Sequence, residues 1–198
     1  MTEYTIKAYP TEYKGRTYRS RLEARWAAFF DLLGWEAEYE PMDFGSWSPD
    51  FLIRNFGGSD VLVEVKPITE FSADVGDKMI RGALGPAEDA NLLLVGVSPL
   101  FAGPHAATLG WHMYAEAEAV GRKPAPAYAY WQAFPHKPAF RADIMVPQHY
   151  DPNDDAAFVG LLLGGRDFML RGTDSFYLAH TKALWARATE AVQWKPSR

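Results

Sequence analysis

The sequence predicts an α/β fold in which a mixed central sheet is flanked by helices. Two patterns carry this prediction. Apolar residues recur at helical spacing from Leu22 to Leu33, and strand-like runs rich in valine and leucine follow at residues 61–66 and 91–97. Because a helix precedes the first strands and a second helical segment separates the last two, the order favours a mixed sheet rather than separate all-α and all-β parts.

The chain length is compatible with one domain. Its 198 residues can bury a sizeable core, and neither an internal repeat nor a low-complexity linker divides them. We expect a single domain over residues 1–198, with the core at about 16–135 and a C-terminal extension at about 136–198.

The first predicted helix has clear signals at both ends. Ser20 followed by Glu23 has the spacing of a capping box, and Gly34 is placed to end the helix. Strands are then expected at residues 35–40, 50–54 and 61–66, where Pro41 and Pro67 stop the first and the third.

The second half of the chain gives weaker signals. We expect a helix from residue 71 to about 89, which Gly76, Gly82 and Gly85 weaken, and a buried strand at 91–97. A further strand at 128–134, a polar loop at 151–155 and a terminal helix at 173–192 complete the prediction.

Composition excludes several classes of function. The chain has no cysteine, which rules out disulfides, thiolate zinc sites and cysteine nucleophiles. The formal net charge of -5 argues against a protein that coats nucleic acid by bulk electrostatics. No secretory signal is recognisable at the start, and the longest apolar stretch is too short to span a bilayer, so we expect a cytoplasmic protein without a membrane partner.

Charge is unevenly distributed near the first helix. Basic residues cluster before and within it, and an acidic stretch follows. A basic rim beside an acidic pocket suits an enzyme that handles phosphate, although a solvated basic helix face explains the arginines equally well. The basic residues are Lys14, Arg16, Arg19, Arg21 and Arg25, and the acidic ones are Glu36, Glu38, Glu40, Asp43 and Asp50.

Strand alternation brings three of the charged residues together. Leu62, Glu64 and Lys66 share one face of a strand, and the valines between them take the other face, which we expect to be the core face. On the preceding strand Asp50 lies on the face that meets Glu64. Two carboxylates at one place repel each other unless a cation lies between them, and an oxygen-only ligand set favours Mg²⁺ or Mn²⁺.

Lys66 would add a catalytic group to the metal-binding carboxylates, because an ammonium beside a metal ligand can orient a water or stabilise phosphate charge. Each residue also has a simpler explanation. Asp50 suits a turn after proline, Glu64 and Lys66 suit an exposed strand with a weak ion pair, and Glu23 suits the capping box alone.

Four segments together resemble the PD-(D/E)XK nuclease superfamily, in particular its phage-type endonucleases and the endonuclease subunits of heteromeric transposases. The resemblance covers about residues 18–97. The segments are Tyr18-Arg19-Ser20-Arg21-Leu22-Glu23, Tyr39-Glu40-Pro41, Ser48-Pro49-Asp50-Phe51 and Glu64-Val65-Lys66-Pro67.

This resemblance implies a restriction-endonuclease-like core and a deoxyribonuclease that depends on Mg²⁺ or Mn²⁺. By the resemblance, Asp50, Glu64 and the Val65 carbonyl would bind the metal ion. Lys66 would be the catalytic lysine, and Glu23 the acid of the first helix.

Substrate contacts and partners are further expectations. Arg19 and Arg21 from the basic rim, and Lys78 and Arg81 from the helix after the lysine strand, are the candidate DNA-binding residues. A protein partner or a homodimer is also expected. Two alternatives stay open: a nuclease-fold binding or recruitment module of a mobile element or defence system, active only with a partner or inactive, and a nuclease that cleaves RNA.

Overall fold

A computed structural model describes residues 8–56, 59–87, 90–100, 108–115, 120–121, 125–133, 140–145 and 174–193. Within these ranges lie nine strands and three helices. The strands are β1 (Thr11–Tyr13), β2 (Arg16–Tyr18), β3 (Ala37–Tyr39), β4 (Phe51–Phe56), β5 (Ser59–Val65), β6 (Asn91–Leu100), β7 (Thr108–Tyr114), β8 (Ala125–Ala133) and β9 (Phe140–Met145). The helices are α1 (Arg21–Leu32), α2 (Ala73–Ala83) and α3 (Asp174–Ala191).

Seven of the described strands form one mixed sheet, in the order β3-β4-β5-β6-β7-β8-β9. Neighbouring strands are antiparallel except β5 and β6, which are parallel and joined by a crossover through α2. The predicted α/β class with a mixed, helix-flanked sheet is therefore confirmed.

Helices cover both faces of the sheet. One core contains α1, α3 and the valine face of β5, namely Val61, Val63 and Val65. A second core contains α2 with Leu52 and Leu62 from the opposite face. The alternation predicted for β5 is thus correct, but the face shared by Leu62 is also buried, so the valine face is not the only core face.

The capping signals of α1 act as the sequence predicts, with one difference. The Ser20 hydroxyl accepts a hydrogen bond from the Glu23 backbone N–H at 3.1 Å, which satisfies one free donor of the first turn. The Glu23 carboxylate, however, accepts from the Ser20 hydroxyl at 2.7 Å. Gly34 follows the helix with a φ of 76°, the left-handed conformation that a helix-ending glycine supplies.

Several boundaries differ from the prediction. The strand expected at 35–40 is limited to β3, and the helix expected from 71 to about 89 is limited to α2. The short hairpin of β1 and β2, together with β7 and β9, was not predicted. The polar loop expected at 151–155 lies outside the described residues.

The terminal helix packs on the first helix. Leu184 and Ala188 of α3 belong to the same core as α1, and the Trp185 ring lies 4.8 Å from the Trp26 ring, centroid to centroid. The segment expected as a C-terminal extension therefore contributes to the core that contains α1 and the valine face of β5. No helix in the described ranges has the length and apolarity to cross a membrane.

Replacing His112 with glutamine should reduce the loss of stability on acidification. His112 is buried on β7 with its Nε2 atom 2.9 Å from Asn91 Oδ1, and burial lowers its pKa to about 4. The unfolded chain takes up this proton near pH 6.5 and the folded chain resists it, so stability present above pH 6.5 is lost as pH falls towards 4.

The contribution of His112 to this loss should be roughly 3 kcal/mol between pH 7 and pH 4. Urea unfolding gives the free energy of unfolding of the wild type and of H112Q at each pH. The contribution of His112 is the amount by which the difference between the two proteins changes from pH 7 to pH 4. A difference that does not change with pH would contradict the prediction.

Candidate active site

The site lies where β4 begins and β5 ends. Asp50 immediately precedes β4, and Glu64 is the second-last residue of β5. The two strands pair at Phe51 and Val63, the neighbours of these two acids. Both carboxylates are buried, with 2% of Asp50 and 6% of Glu64 exposed. Burial excludes the simpler explanation of Glu64 as part of an exposed strand face.

Asp50 has a different kind of partner on each oxygen. Its Oδ2 atom accepts a hydrogen bond from the buried Val65 backbone N–H at 2.7 Å. Its Oδ1 atom accepts from the Arg19 guanidinium at 2.5 Å. One oxygen is therefore held by the sheet, and the other faces a cation.

Glu64 repeats this arrangement. Its Oε2 atom accepts a hydrogen bond from the Trp47 indole N–H at 2.9 Å, within the second core. Its Oε1 atom forms an ion pair with the Lys66 ammonium. Lys66 has 39% of its side chain exposed, so the buried carboxylate is paired with a cation at the edge of solvent.

Glu23 lies beside this pair but is held differently. The Tyr39 hydroxyl donates to Oε2 at 2.5 Å, the Ser20 hydroxyl donates to Oε1 at 2.7 Å, and the Arg19 Nε atom lies 3.7 Å from Oε2. Two neutral hydroxyls thus hold the two oxygens of Glu23. This acid orients the start of α1 and adds negative charge near Asp50.

The pKa of Asp50 reflects the negative charge of the neighbouring acids. Burial, and next the negative charge of Glu64, raise the pKa of Asp50 to about 7. The Val65 N–H and the charge of Lys66 act in the opposite direction, and the charge of Glu23 adds a smaller increase. A divalent cation between Asp50 and Glu64 would remove the repulsion that raises this pKa.

The donor chemistry fits a hard divalent cation. Asp50 and Glu64 offer carboxylate oxygens, which Mg²⁺ and Mn²⁺ prefer. Across the described ranges, no three His, Cys, Asp or Glu side chains converge on a point suited to a metal ion. A cation held by these two carboxylates would need a backbone carbonyl or water oxygens to complete its shell, which is the usual condition of Mg²⁺.

The structure brings most predicted site residues together. Glu23, Asp50, Glu64 and Lys66 form one connected set with Arg19. Val65 contacts Asp50 through its N–H, and its carbonyl as a metal ligand stays a prediction.

Three of the candidate DNA-binding residues stand apart from this set. Arg21 on α1 and Lys78 and Arg81 on α2 are exposed, and none of the ion pairs among the described residues includes them. Their role in binding DNA stays a prediction, whereas Arg19 is paired with acids of the site.

Sequence reasoning missed Trp47, the residue that holds Glu64 in place. A lone tryptophan in a Gly/Ser/Pro-rich turn has no periodic neighbour that would mark it as functional. A signal was present in α2, where a glycine, Gly82, lies within the helix. A Cβ atom at Gly82 would lie 2.5 Å from the Trp47 Cβ, so glycine is needed for Trp47 to reach its position.

Replacing Trp47 with phenylalanine should lower Mn²⁺ affinity about 10-fold, because Glu64 loses the donor that orients it. The change should also cost about 1–3 kcal/mol, because a buried carboxylate oxygen is left without its partner. Mn²⁺ titration and urea unfolding measure the two effects.

Trp26→Phe is the matched control for this variant. The Trp26 indole is buried and donates to the Gly96 carbonyl at 2.8 Å instead of to a carboxylate. It should lose similar stability and keep the Mn²⁺ affinity of the wild type. Equal loss of Mn²⁺ affinity in both variants would contradict the role given to Trp47.

Comparisons with known proteins give no relative: no family model, no curated protein and no solved structure matches this chain.

Proposed function

We propose that this protein is a divalent-metal-dependent endonuclease that hydrolyses DNA phosphodiester bonds. The observation that carries the proposal is that Asp50 and Glu64 are held by the same kinds of partner. Each is a buried carboxylate with one oxygen fixed by a neutral N–H donor and the other turned to a cation. A buried carboxylate needs a cationic partner or a metal ion, and here the cationic partner of each acid is a partly exposed side chain whose place a metal ion could take.

Asp50 and Glu64 would hold Mg²⁺ or Mn²⁺, with the Val65 carbonyl as a further ligand. The bound ion would supply Lewis acidity to the phosphate and lower the pKa of a water. The chain itself contributes fixed geometry: the Val65 N–H and the Trp47 N–H hold the carboxylates in one orientation before any ligand binds.

Lys66 would act on the attacking water or on the phosphate. Its ammonium lies against Glu64, next to the proposed metal ligands, and is partly exposed. In that position it can orient the nucleophilic water or donate a hydrogen bond to a phosphate oxygen as negative charge increases there. Glu23 would act from the second layer, through Arg19 and Tyr39.

A second function is favoured by a specific observation. Arg19 and Lys66 pair with Asp50 and Glu64, so each of these two carboxylates has a cationic partner within the chain. This is compatible with a nuclease-fold binding or recruitment module that has no activity of its own, or that becomes active only with a partner.

The two functions are distinguished by a cleavage assay on the purified protein. Single-stranded, double-stranded and branched DNA, and a matched RNA, are incubated with Mg²⁺, Mn²⁺, Ca²⁺ or EDTA. The nuclease proposal expects cleavage of DNA with Mg²⁺ or Mn²⁺, loss of cleavage with EDTA, and loss of cleavage in Asp50→Ala. Binding of DNA without cleavage of any form would favour the binding module, and cleavage of RNA alone would change the substrate class.

A further inference from the structure

A single arginine pairs with three acids at the site. The Arg19 terminal nitrogen is 2.5 Å from Asp50 Oδ1, and its Nε atom is 2.8 Å from Glu40 Oε1 and 3.7 Å from Glu23 Oε2. The Arg19 side chain is 58% exposed, although its partner Asp50 is buried. Arg19 therefore reaches into the site from the rim and is anchored there by more than one carboxylate.

The oxygen that Arg19 contacts is the one that a metal ion needs. Asp50 Oδ2 is held by the buried Val65 N–H, which belongs to the last residue of β5, an interior strand of the seven-stranded sheet. Oδ1 is left as the oxygen that faces outward, and Arg19 contacts it. Because two cations at one oxygen repel each other, the guanidinium and a divalent ion compete for Asp50.

Glu40 provides a place for Arg19 to remain when it leaves Asp50. Glu40 adopts a φ of 47°, a conformation that is uncommon outside glycine, and its backbone N–H donates to the Asp50 carbonyl at 2.9 Å. Its position is thus fixed by the same residue that Arg19 contacts. The Nε contact to Glu40 does not depend on the terminal nitrogen that contacts Asp50, so one contact can break while the other persists.

We propose that a divalent cation displaces Arg19 from Asp50, and that Arg19, still held by Glu40, then presents its released terminal N–H groups to a phosphate of the DNA. This inference rests on the proposed nuclease function and adds an order of events to it. Metal binding would break one ion pair and in the same step create a phosphate-binding group beside the metal ion.

The proposal expects Arg19→Met to change two affinities in opposite directions. Mn²⁺ binding to the metal-free protein, measured by titration without DNA, should become about 10-fold tighter because the competing cation is gone. Binding of DNA in Ca²⁺, which is used to hold the complex without cleavage, should become about 10-fold weaker because the phosphate contact is lost. Arg54→Met removes the same charge from an exposed arginine of β4 that pairs with Glu38 and Asp60, and it should change neither affinity by more than about twofold.

Arg19→Lys separates direct competition from a general charge effect. Lysine keeps the positive charge but replaces the planar fork of Arg19 with one compact ammonium, so the contacts to Glu40 and Asp50 are weakened. Direct competition expects tighter Mn²⁺ binding than in the wild type, whereas a general charge effect expects no change. This variant also decides the matter if Arg19→Met fails to fold, as judged by circular dichroism.

The outcomes distinguish this inference from the function on which it rests. If Mn²⁺ affinity depends on Asp50 but is the same or weaker in both Arg19 variants, the inference is wrong and the metal site stands. If neither the wild type nor the Arg19 variants bind Mn²⁺, both are wrong. Tighter Mn²⁺ binding without weaker DNA binding would overturn the step in which Arg19 moves to the phosphate.

Discussion

Lys66→Met should lower the rate of metal-dependent DNA cleavage by about 10²- to 10⁴-fold, the range expected for loss of a general acid or base. Mn²⁺ affinity should be unchanged or higher, because the ammonium that pairs with Glu64 Oε1 is removed and that oxygen becomes available. The expected signature is a protein that binds the metal ion and DNA but cleaves slowly. Single-turnover cleavage with saturating Mn²⁺, beside a Mn²⁺ titration, measures both parts.

Lys182→Met is the matched control for Lys66→Met. Lys182 is at an exposed position of α3, and the same change there should leave the single-turnover rate within about threefold of the wild type. Cleavage by K66M at the wild-type rate would exclude Lys66 from the reaction. Loss of both cleavage and Mn²⁺ binding in K66M would instead assign Lys66 to the structure of the site.

The stability of metal-free Asp50→Asn relative to the wild type should increase as pH rises from 4 to 8. The unfolded chain releases the Asp50 proton near pH 4, whereas burial and the charge of Glu64 raise the pKa to about 7 in the folded chain. The wild type is therefore favoured at low pH and loses stability as pH rises through 7. The change in the difference should be on the order of 3–4 kcal/mol, and asparagine should remove it.

The measurement is urea unfolding in EDTA at pH 4, 6 and 8, with wild type and D50N compared at each pH. His112 has the opposite pH dependence, but it is present in both proteins and cancels in the difference. Mn²⁺ at pH 8 should restore stability to the wild type and not to D50N. Asp60→Asn, at an exposed residue of β5, is the control, and a pH dependence in D60N equal to that in D50N would contradict the prediction.

The parts of the fold that local chemistry determines could be predicted from the sequence. The Ser20 cap and Gly34 determine the ends of α1, because each satisfies or releases backbone groups within a few residues. Strand alternation placed Glu64 and Leu62 on one face of β5, because the period of a strand does not depend on what packs against it. The neighbouring positions of Asp50 and Glu64 follow from the same alternation on two paired strands.

The parts that depend on distant contacts could not be predicted. Trp47 is 17 residues from Glu64, and nothing near it in the sequence indicates their hydrogen bond. Arg19 was predicted to contact DNA, and its pairing with Asp50, 31 residues away, requires the sheet to be assembled. The hairpin of β1 and β2 was not predicted, because three-residue strands give little alternation. In the structure Lys14 and Gly15 both have positive φ, as a two-residue hairpin turn requires.

The packing of α3 on α1 has a consequence for the order in which the protein matures during synthesis. α1 carries Glu23 and follows directly after Arg19, so its placement sets the acid-rich side of the site. Part of its apolar cover comes from Leu184, Ala188 and Val192, which leave the ribosome long after the strands. A nascent chain that already contains both carboxylates therefore lacks the support that fixes α1, and the complete site is delayed until residues 174–193 have been translated.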